Sequence, residues 1–316
     1  MGRYVIRRLL QLVPVFFGTT FIIFAAVFML PGDPIRALFG NRPPSPEVLR
    51  VLTERYHLDD PLLVQYGKYI GGIFTRGDLG VNFRNRPVLE IVLDAAPVTI
   101  KLGLTAFAIE IAIGIVAGVM AGLRRGGFFD NVVLICTTLI ISVPVFVLGF
   151  VAQLTIAGNQ GWLGGVELFP ISFGQQTAWP QAYLLPALIL ASLQLAQLTR
   201  LTRTSLVENL RADYVRTAIA KGLTRRTVVG KHTLRNSMIP VVTLLGIDVG
   251  GLMGGAIVTE GIFNIPGMGL AIFRGIGAQE NTVVVGISMV LVIFFIVANL
   301  FVDLLYGYLD PRIRYD

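Results

Sequence analysis

The apolar residues of this chain are gathered into runs of about 20 or more, each long enough to cross the hydrocarbon layer of a bilayer as a helix. The first is Leu9 to Leu30. Later runs extend from about Val98 to Ala121, Val132 to Ile156, Trp179 to Leu198, Met238 to Ile262 and Val283 to Leu305. In lipid the backbone has no water to bond to, so each such run is expected to satisfy its own amides and carbonyls as a helix. The expected fold class is all-α, a polytopic membrane helical bundle with about six transmembrane helices. Of the 316 residues 54% are hydrophobic and only 14% charged, against about 25% charged in a typical soluble domain; the mean hydropathy is +0.73. Six spans and their loops use nearly the whole length, so residues 1–316 are expected to form one membrane domain. The fourth run is the least apolar, carrying Pro186, Gln194 and Gln197.

Arg3, Arg7 and Arg8 precede the first run as in a secretory signal. The run is longer than the roughly 7–15 residues of such a signal, and no small-x-small site follows. Pro31-Gly32-Asp33-Pro34, a turn sequence, comes instead, and a retained first helix is expected. Lys and Arg set the orientation of the spans. The N-terminal segment carries three and the loop Gly122–Asn131 two, while the loop Thr199–Ser237 carries nine and the tail two. The loop Ala157–Ala178 has none, and Phe263–Thr282 has only Arg274. Both termini are therefore expected in the cytoplasm, with Trp179 at the outer interface. The net charge of +7 follows from this distribution, and no nucleic-acid partner is expected.

The outer segment 31–97 is too long for a plain loop. Ser45-Pro46-Glu47 reads as a helix start, and Asp60-Pro61 repeats that start before Leu62–Phe74, so two short helices are expected over the outer face. Cys136 lies in an apolar run and is expected to be a small buried core residue. His57 and His232 fall in different loops and cannot share a metal. Gly230-Lys231 is followed by His232, and position 225 is Arg, so the chain has no phosphate-binding loop. No His-Glu-x-x-His or Gly-x-Ser-x-Gly motif suggests an intramembrane enzyme.

Charges inside spans cost roughly 2.5–3.5 kcal/mol each at a helix centre. Glu110 and Asp248 lie well within the second and fifth spans, with Glu260 and Asp303 nearer the ends. Glu110 and Asp248 are candidates for a translocation path, against the plainer reading of a polar contact between helices. Gly114, Gly118 and Gly122, and Gly246, Gly250 and Gly254, recur every four residues, with Gly251 and Gly255 on an adjacent stripe. Small residues at that spacing let helix backbones approach closely, within this chain or across a dimer.

The basic loop 199–237 carries the functional signal. Leu206–Lys221 has helical character, with Tyr214, Val215, Ala218 and Ile219 on one apolar strip. It stops at Gly222, a residue suited to close a helix. A short amphipathic helix of this kind can dock a soluble partner. The run Asp213-Tyr214-Val215-Arg216-Thr217-Ala218-Ile219-Ala220-Lys221-Gly222-Leu223 resembles the coupling motif of ATP-binding-cassette importer permeases. Arg216 and Thr217 depart from that motif's general Glu-Ala. With Leu234-Arg235-Asn236 and Ile239-Pro240, they are similar to the dipeptide/oligopeptide (peptide/nickel) branch. Leu30-Pro31-Gly32-Asp33-Pro34, Gly77-Asp78-Leu79-Gly80, Ser142-Val143-Pro144, Pro266-Gly267-Met268-Gly269 and Asp310-Pro311-Arg312-Ile313-Arg314 fit the same branch, although Asn82 stands where Ser is common. The resemblance covers essentially the whole chain and is closest to the branch's first permease subunit.

The resemblance implies a type I importer permease in a bacterial inner membrane, importing di- or oligopeptides. It implies a second homologous permease, two ATP-binding subunits that hold ATP and Mg, and an extracytoplasmic solute-binding protein. No cofactor is expected in this chain. Tyr214, Arg216, Thr217, Ala218, Ile219, Lys221 and Gly222 would contact the ATPase: Tyr214, Ala218 and Ile219 as buried contacts, Arg216 and Lys221 as polar ones. Relatives of the branch also carry nickel complexes, glutathione or sugars. Readings from other classes are a membrane scaffold that recruits cytosolic proteins and a self-contained channel.

Overall fold

The structure is a computed structural model that describes residues 2–29, 46–47, 50, 53, 60–156 and 181–309. The turn at Pro31–Pro34, the helix start at Ser45, His57, the loop 157–178, Trp179, the tail motif at Asp310–Arg314 and the side chain of Asp303 lie outside the described residues. Ten helices carry the described chain: α1 (Gly2–Phe28), α2 (Leu62–Arg76), α3 (Val88–Leu123), α4 (Phe128–Ser142), α5 (Val145–Thr155), α6 (Gln181–Asn209), α7 (Asp213–Ala220), α8 (Arg225–Phe263), α9 (Met268–Gly277) and α10 (Asn281–Leu309). The only β pairing among the described residues is a single bridge between Val81 and Pro87.

Five of the helices are long and apolar enough to cross a bilayer. The expected third span is not one rod. It breaks between α4 and α5, whose axes differ by 105°. The cause is local: Pro144 disfavours helical backbone at the residue before it, and Val143 is extended (φ −105°, ψ 127°). Taken as one bent crossing, the pair brings the count to six.

The chain divides into two compact units, residues 1–99 with 265–316, and residues 100–264. In the first unit α1, α2 and α10 share a core of Phe24, Ile70, Val285 and Met289, flanked by Phe16, Phe28, Tyr66 and Tyr69. Tyr66 packs edge-on to Phe21 and Phe24, while Phe74 meets Phe16 and Phe17. Thus α2 runs back along the flank of α1 rather than over its end, as its sequence had suggested. Tyr66 and Thr20 hydroxyls hydrogen-bond at 2.8 Å. Gly77 ends α2 in the left-handed region (φ 64°), and a tight turn follows. There Asp78 accepts the Gly80 amide at 2.8 Å, and Asn82 Oδ1 accepts the amides of Arg84 and Arg86. Burial, reinforced by the charge of Asp78, pushes the Tyr69 phenol well above its ordinary range; it donates to the Leu79 carbonyl at 3.2 Å. The Pro266–Gly269 motif delivers the Met268 amide to Thr99 Oγ1 at 2.9 Å, opening α9.

In the second unit α6 is the hub. Two-thirds (67%) of its membrane window is buried by neighbouring helices, against 33% for α3 and for α8. This explains its weak hydropathy: residues facing helices need not be as apolar as residues facing lipid. The glycines of α3 meet α6 in register. A methyl carbon added at Gly114 would press on Leu198, at Gly118 on Thr202 and the Thr199 carbonyl, and at Gly122 on Leu206. The four-residue spacing therefore marks a contact within the chain. On α8 Gly246 and Gly250 are buried, Gly255 packs against Leu190 and Gly251 lies near Gln194, while Gly254 faces open space. Cys136 is exposed on α4 rather than buried, because α4 turns that side away from α6.

Candidate functional site

The stretch 199–237 is far more helical than a loop. α6 has 29 residues, about 43 Å at 1.5 Å per residue. α8 has 39, about 58 Å. Both exceed the roughly 30 Å hydrocarbon core, so the basic segment is largely the overhang of two spans with α7 set between their ends. His232, expected in a loop, lies in a π-helical turn of α8 spanning Val228–Thr233.

The helix expected over Leu206–Lys221 is interrupted at Leu210–Ala212, and α7 begins at Asp213. Its apolar strip divides. At 100° per residue, Tyr214, Ala218, Val215 and Ile219 fan across about 140°. The two central residues, Val215 and Ala218, are buried against Val228 of α8. The marginal ones, Tyr214 and Ile219, remain exposed, Ile219 at 60%. Ala218 is thus committed inside the chain, and Val215, absent from the candidates, is the anchor. Tyr214 is tethered by its hydroxyl, which donates to Asn209 Oδ1 at 2.7 Å. Thr217 Oγ1 donates to the Asp213 carbonyl at 3.0 Å. Arg216 lies 3.6 Å from Asp213 in a fully solvated pair, which contributes little.

The end of α7 is fixed by backbone geometry. The Gly222 amide donates to the Ile219 carbonyl (2.9 Å) and the Leu223 amide to the Ala218 carbonyl (3.3 Å), with Gly222 at φ +81°. This is a Schellman closure, which favours glycine at that position. No atom lies within 4 Å of where a Gly222 side chain would start, so the glycine is required by its conformation. Thr224 then caps α8, accepting the Thr227 amide.

Two contacts that sequence reading missed brace this assembly. Ser205 Oγ on α6 donates to the Ser237 carbonyl on α8 at 3.0 Å, and Ser237 Oγ reaches back to the Ser205 carbonyl at 3.4 Å. Both serines are buried. Arg203 of α6 grips Asp130 of α4 through two parallel bonds of 2.5 and 2.7 Å. The Gly126 amide adds a third bond to Asp130 at 2.8 Å.

Glu110 and Asp248, singled out separately in the sequence, come together. Their carboxyls face one another across α3 and α8. Both are buried, and neither Glu110 oxygen nor Asp248 Oδ2 has a well-formed hydrogen bond. Glu110 opens a π-helical turn, Glu110–Ile115, a distortion often found at functional positions. Glu260 is fully buried as well.

Residues 114–315 match the family of binding-protein-dependent transport system inner membrane components, and residues 1–103 match the N-terminal region of the same membrane components. The chain belongs to that family. This permease is 36% identical to the dipeptide transport system permease protein DppB of Alkalihalophilus pseudofirmus, over the full length of both chains. It is 37% identical to the protein of the same name in Escherichia coli (strain K12), covering 100% of this chain and 99% of that one. The di/tripeptide transport system permease protein DppB of Pseudomonas aeruginosa is 36% identical over 100% and 99% of the two chains. The permease is a multi-pass membrane protein, and these relatives are transport permeases rather than enzymes.

Proposed function

We propose that this permease forms half of the translocation path of an ATP-driven importer of dipeptides and short oligopeptides. In this reading it couples through α7 to a separate ATPase. The observation that carries the reading is the construction of α7. It is a short helix anchored on one side by Val215 and Ala218 and closed by Gly222, and it presents Tyr214, Ile219 and Leu223 outward. Full-length likeness to dipeptide permeases supports the peptide substrate. Both termini and α7 face the cytoplasm, as the Lys and Arg distribution supports. ATP and Mg are held by two ATP-binding subunits, and a second permease and an extracytoplasmic solute-binding protein complete the system. Movement of the ATPase is passed from α7 to α6 and α8 as a rigid-body shift, with the serine clasp keeping the two overhangs together. Glu110 and Asp248 act in this reading as an interhelical contact, because both are buried and their carboxyls lie side by side.

The test uses the assembled transporter in proteoliposomes, reading ATP hydrolysis and labelled dipeptide uptake in parallel. Ile219→Asp on the outward face is expected to leave insertion and chain stability intact while abolishing co-purification of the ATP-binding chains and uptake. Gly222→Trp is expected to insert normally and to separate hydrolysis from uptake. Full dipeptide uptake by either variant would overturn the placement. Uptake of nickel or a sugar in place of peptide would overturn the substrate.

A further inference from the structure

The hairpin joining α3 to α4 and the end of α6 enclose a cleft of about 520 Å³ lined by Gly122–Gly127, Val207, Leu210 and Arg211. Three arginines, Arg124, Arg125 and Arg211, line it, and no carboxylate does. Among the described residues none of the three is in an ion pair. The nearby acid, Asp130, is already held by Arg203 and the Gly126 amide. Asp130 also offsets part of the charge of Arg125, and with no ion pair at Arg124 or Arg211 among the described residues the cleft keeps a net positive charge.

A second, independent feature starts at the same place. Leu123 and Phe128 flank the arginine-bearing turn, and Phe128 is 87% exposed. From Leu123 an exposed apolar stripe runs back along α3 through Met120, Val116 and Ile113. From Phe128 another runs along α4 through Val132, Ile135 and Leu139. Both follow helical spacing of three and four residues, so each is a continuous face. An anion-binding head with two apolar tracks leading away from it matches one kind of ligand. We propose that this cleft is a site for an anionic phospholipid, its phosphate held by Arg124, Arg125 and Arg211 and its acyl chains laid along α3 and α4. Guanidiniums suit phosphate oxygens through paired N–H donors, and basic pockets between helices at a membrane surface bind such headgroups. The proposal needs only that the helices cross a bilayer and is independent of the solute carried. Because Leu210 and Arg211 belong to the turn between α6 and α7, the bound headgroup would sit directly beside that turn.

The experiment is native mass spectrometry of the full-length permease after incubation with equal amounts of phosphatidylglycerol and phosphatidylcholine. The wild-type chain is expected to retain phosphatidylglycerol with a preference of roughly tenfold or more, given what juxtamembrane arginines contribute. R124Q/R125Q/R211Q is expected to lose the preference. R216Q/R225Q/R226Q, which removes the same charge outside the cleft, is expected to keep it. Should the first triple aggregate, its three single variants carry the test, each expected to lower the preference by up to about fivefold. Equal retention of both lipids by the wild type, equal loss in both triples, or a flat response of the singles overturns the site. So does displacement of the lipid by excess inorganic phosphate, which would mark a free-anion site. Release of the lipid when ATP-binding chains are added would mark a protein interface instead, and also overturns it.

Discussion

Replacing Gly118 by alanine puts a methyl group into the seam between α3 and α6. Its carbon would lie 2.6 Å from Thr202 Cβ and 2.7 Å from the Thr199 carbonyl oxygen, where ordinary contact begins near 3.4 Å. Neither neighbour can step aside. One is backbone, and the other is a β-branched side chain whose rotamer is restricted in a helix. The helices must separate by about 0.7 Å, and a gap of that size forfeits a quarter to a half of each contact along the seam. Overpacking of this kind costs about 1–3 kcal/mol. In water part of that would be offset by the better helix propensity of alanine, about 1 kcal/mol. In a bilayer the separated helices are already helical, so the offset largely disappears. The measurement is unfolding of the purified chain in mixed micelles titrated with SDS, followed by circular dichroism. Gly254→Ala is the control, because that position faces open space; it is expected to stay within about 0.5 kcal/mol of wild type. Gly118→Ala matching Gly254→Ala would refute the assignment of this seam to the interior of the chain.

Asp130→Ala leaves Arg203 and the Gly126 amide without their partner and is expected to cost about 3 kcal/mol; a double-mutant cycle with Arg203→Ala should recover a measurable coupling energy. Glu110→Gln keeps the shape of the side chain and offers an N–H to the unsatisfied Asp248 oxygen, so the same titration should show unchanged or slightly increased stability, by about 1 kcal/mol. Glu110→Ala, which removes the facing group altogether, should instead lower it. Cys136 on the outward face of α4 should be labelled to completion by a lipid-soluble maleimide in the folded chain, where a buried thiol would stay unlabelled, as mass spectrometry would show.

The spans were legible because length and apolar composition alone decide them; the low hydropathy of the fourth run was visible too, but its cause, burial of α6 among other helices, was not. The break at Val143 was not, since apolar residues continue on both sides of it and only Pro144 signals the turn. Gly222 was readable because glycine is the residue a left-handed helix end selects. The sidedness of α7 was not: four apolar residues within one fan give no hint which of them meet Val228. The glycine spacing announced a close approach but not its partner, which needed Leu198, Thr202 and Leu206 to be seen in step with it. The serine clasp and the Asp130–Arg203 brace join positions 32 and 73 residues apart. They use residue types common in any polar segment, so no local pattern could expose them.

The seam between α3 and α6 has a mechanical corollary. On the α3 side of the seam hydrogen atoms stand in place of side chains, so only Leu198, Thr202 and Leu206 of α6 fill it and little is left to compress. A push delivered at the foot of α6 cannot be absorbed locally. It must reappear as travel of both rods together, so whatever hinge the second unit possesses lies away from that line.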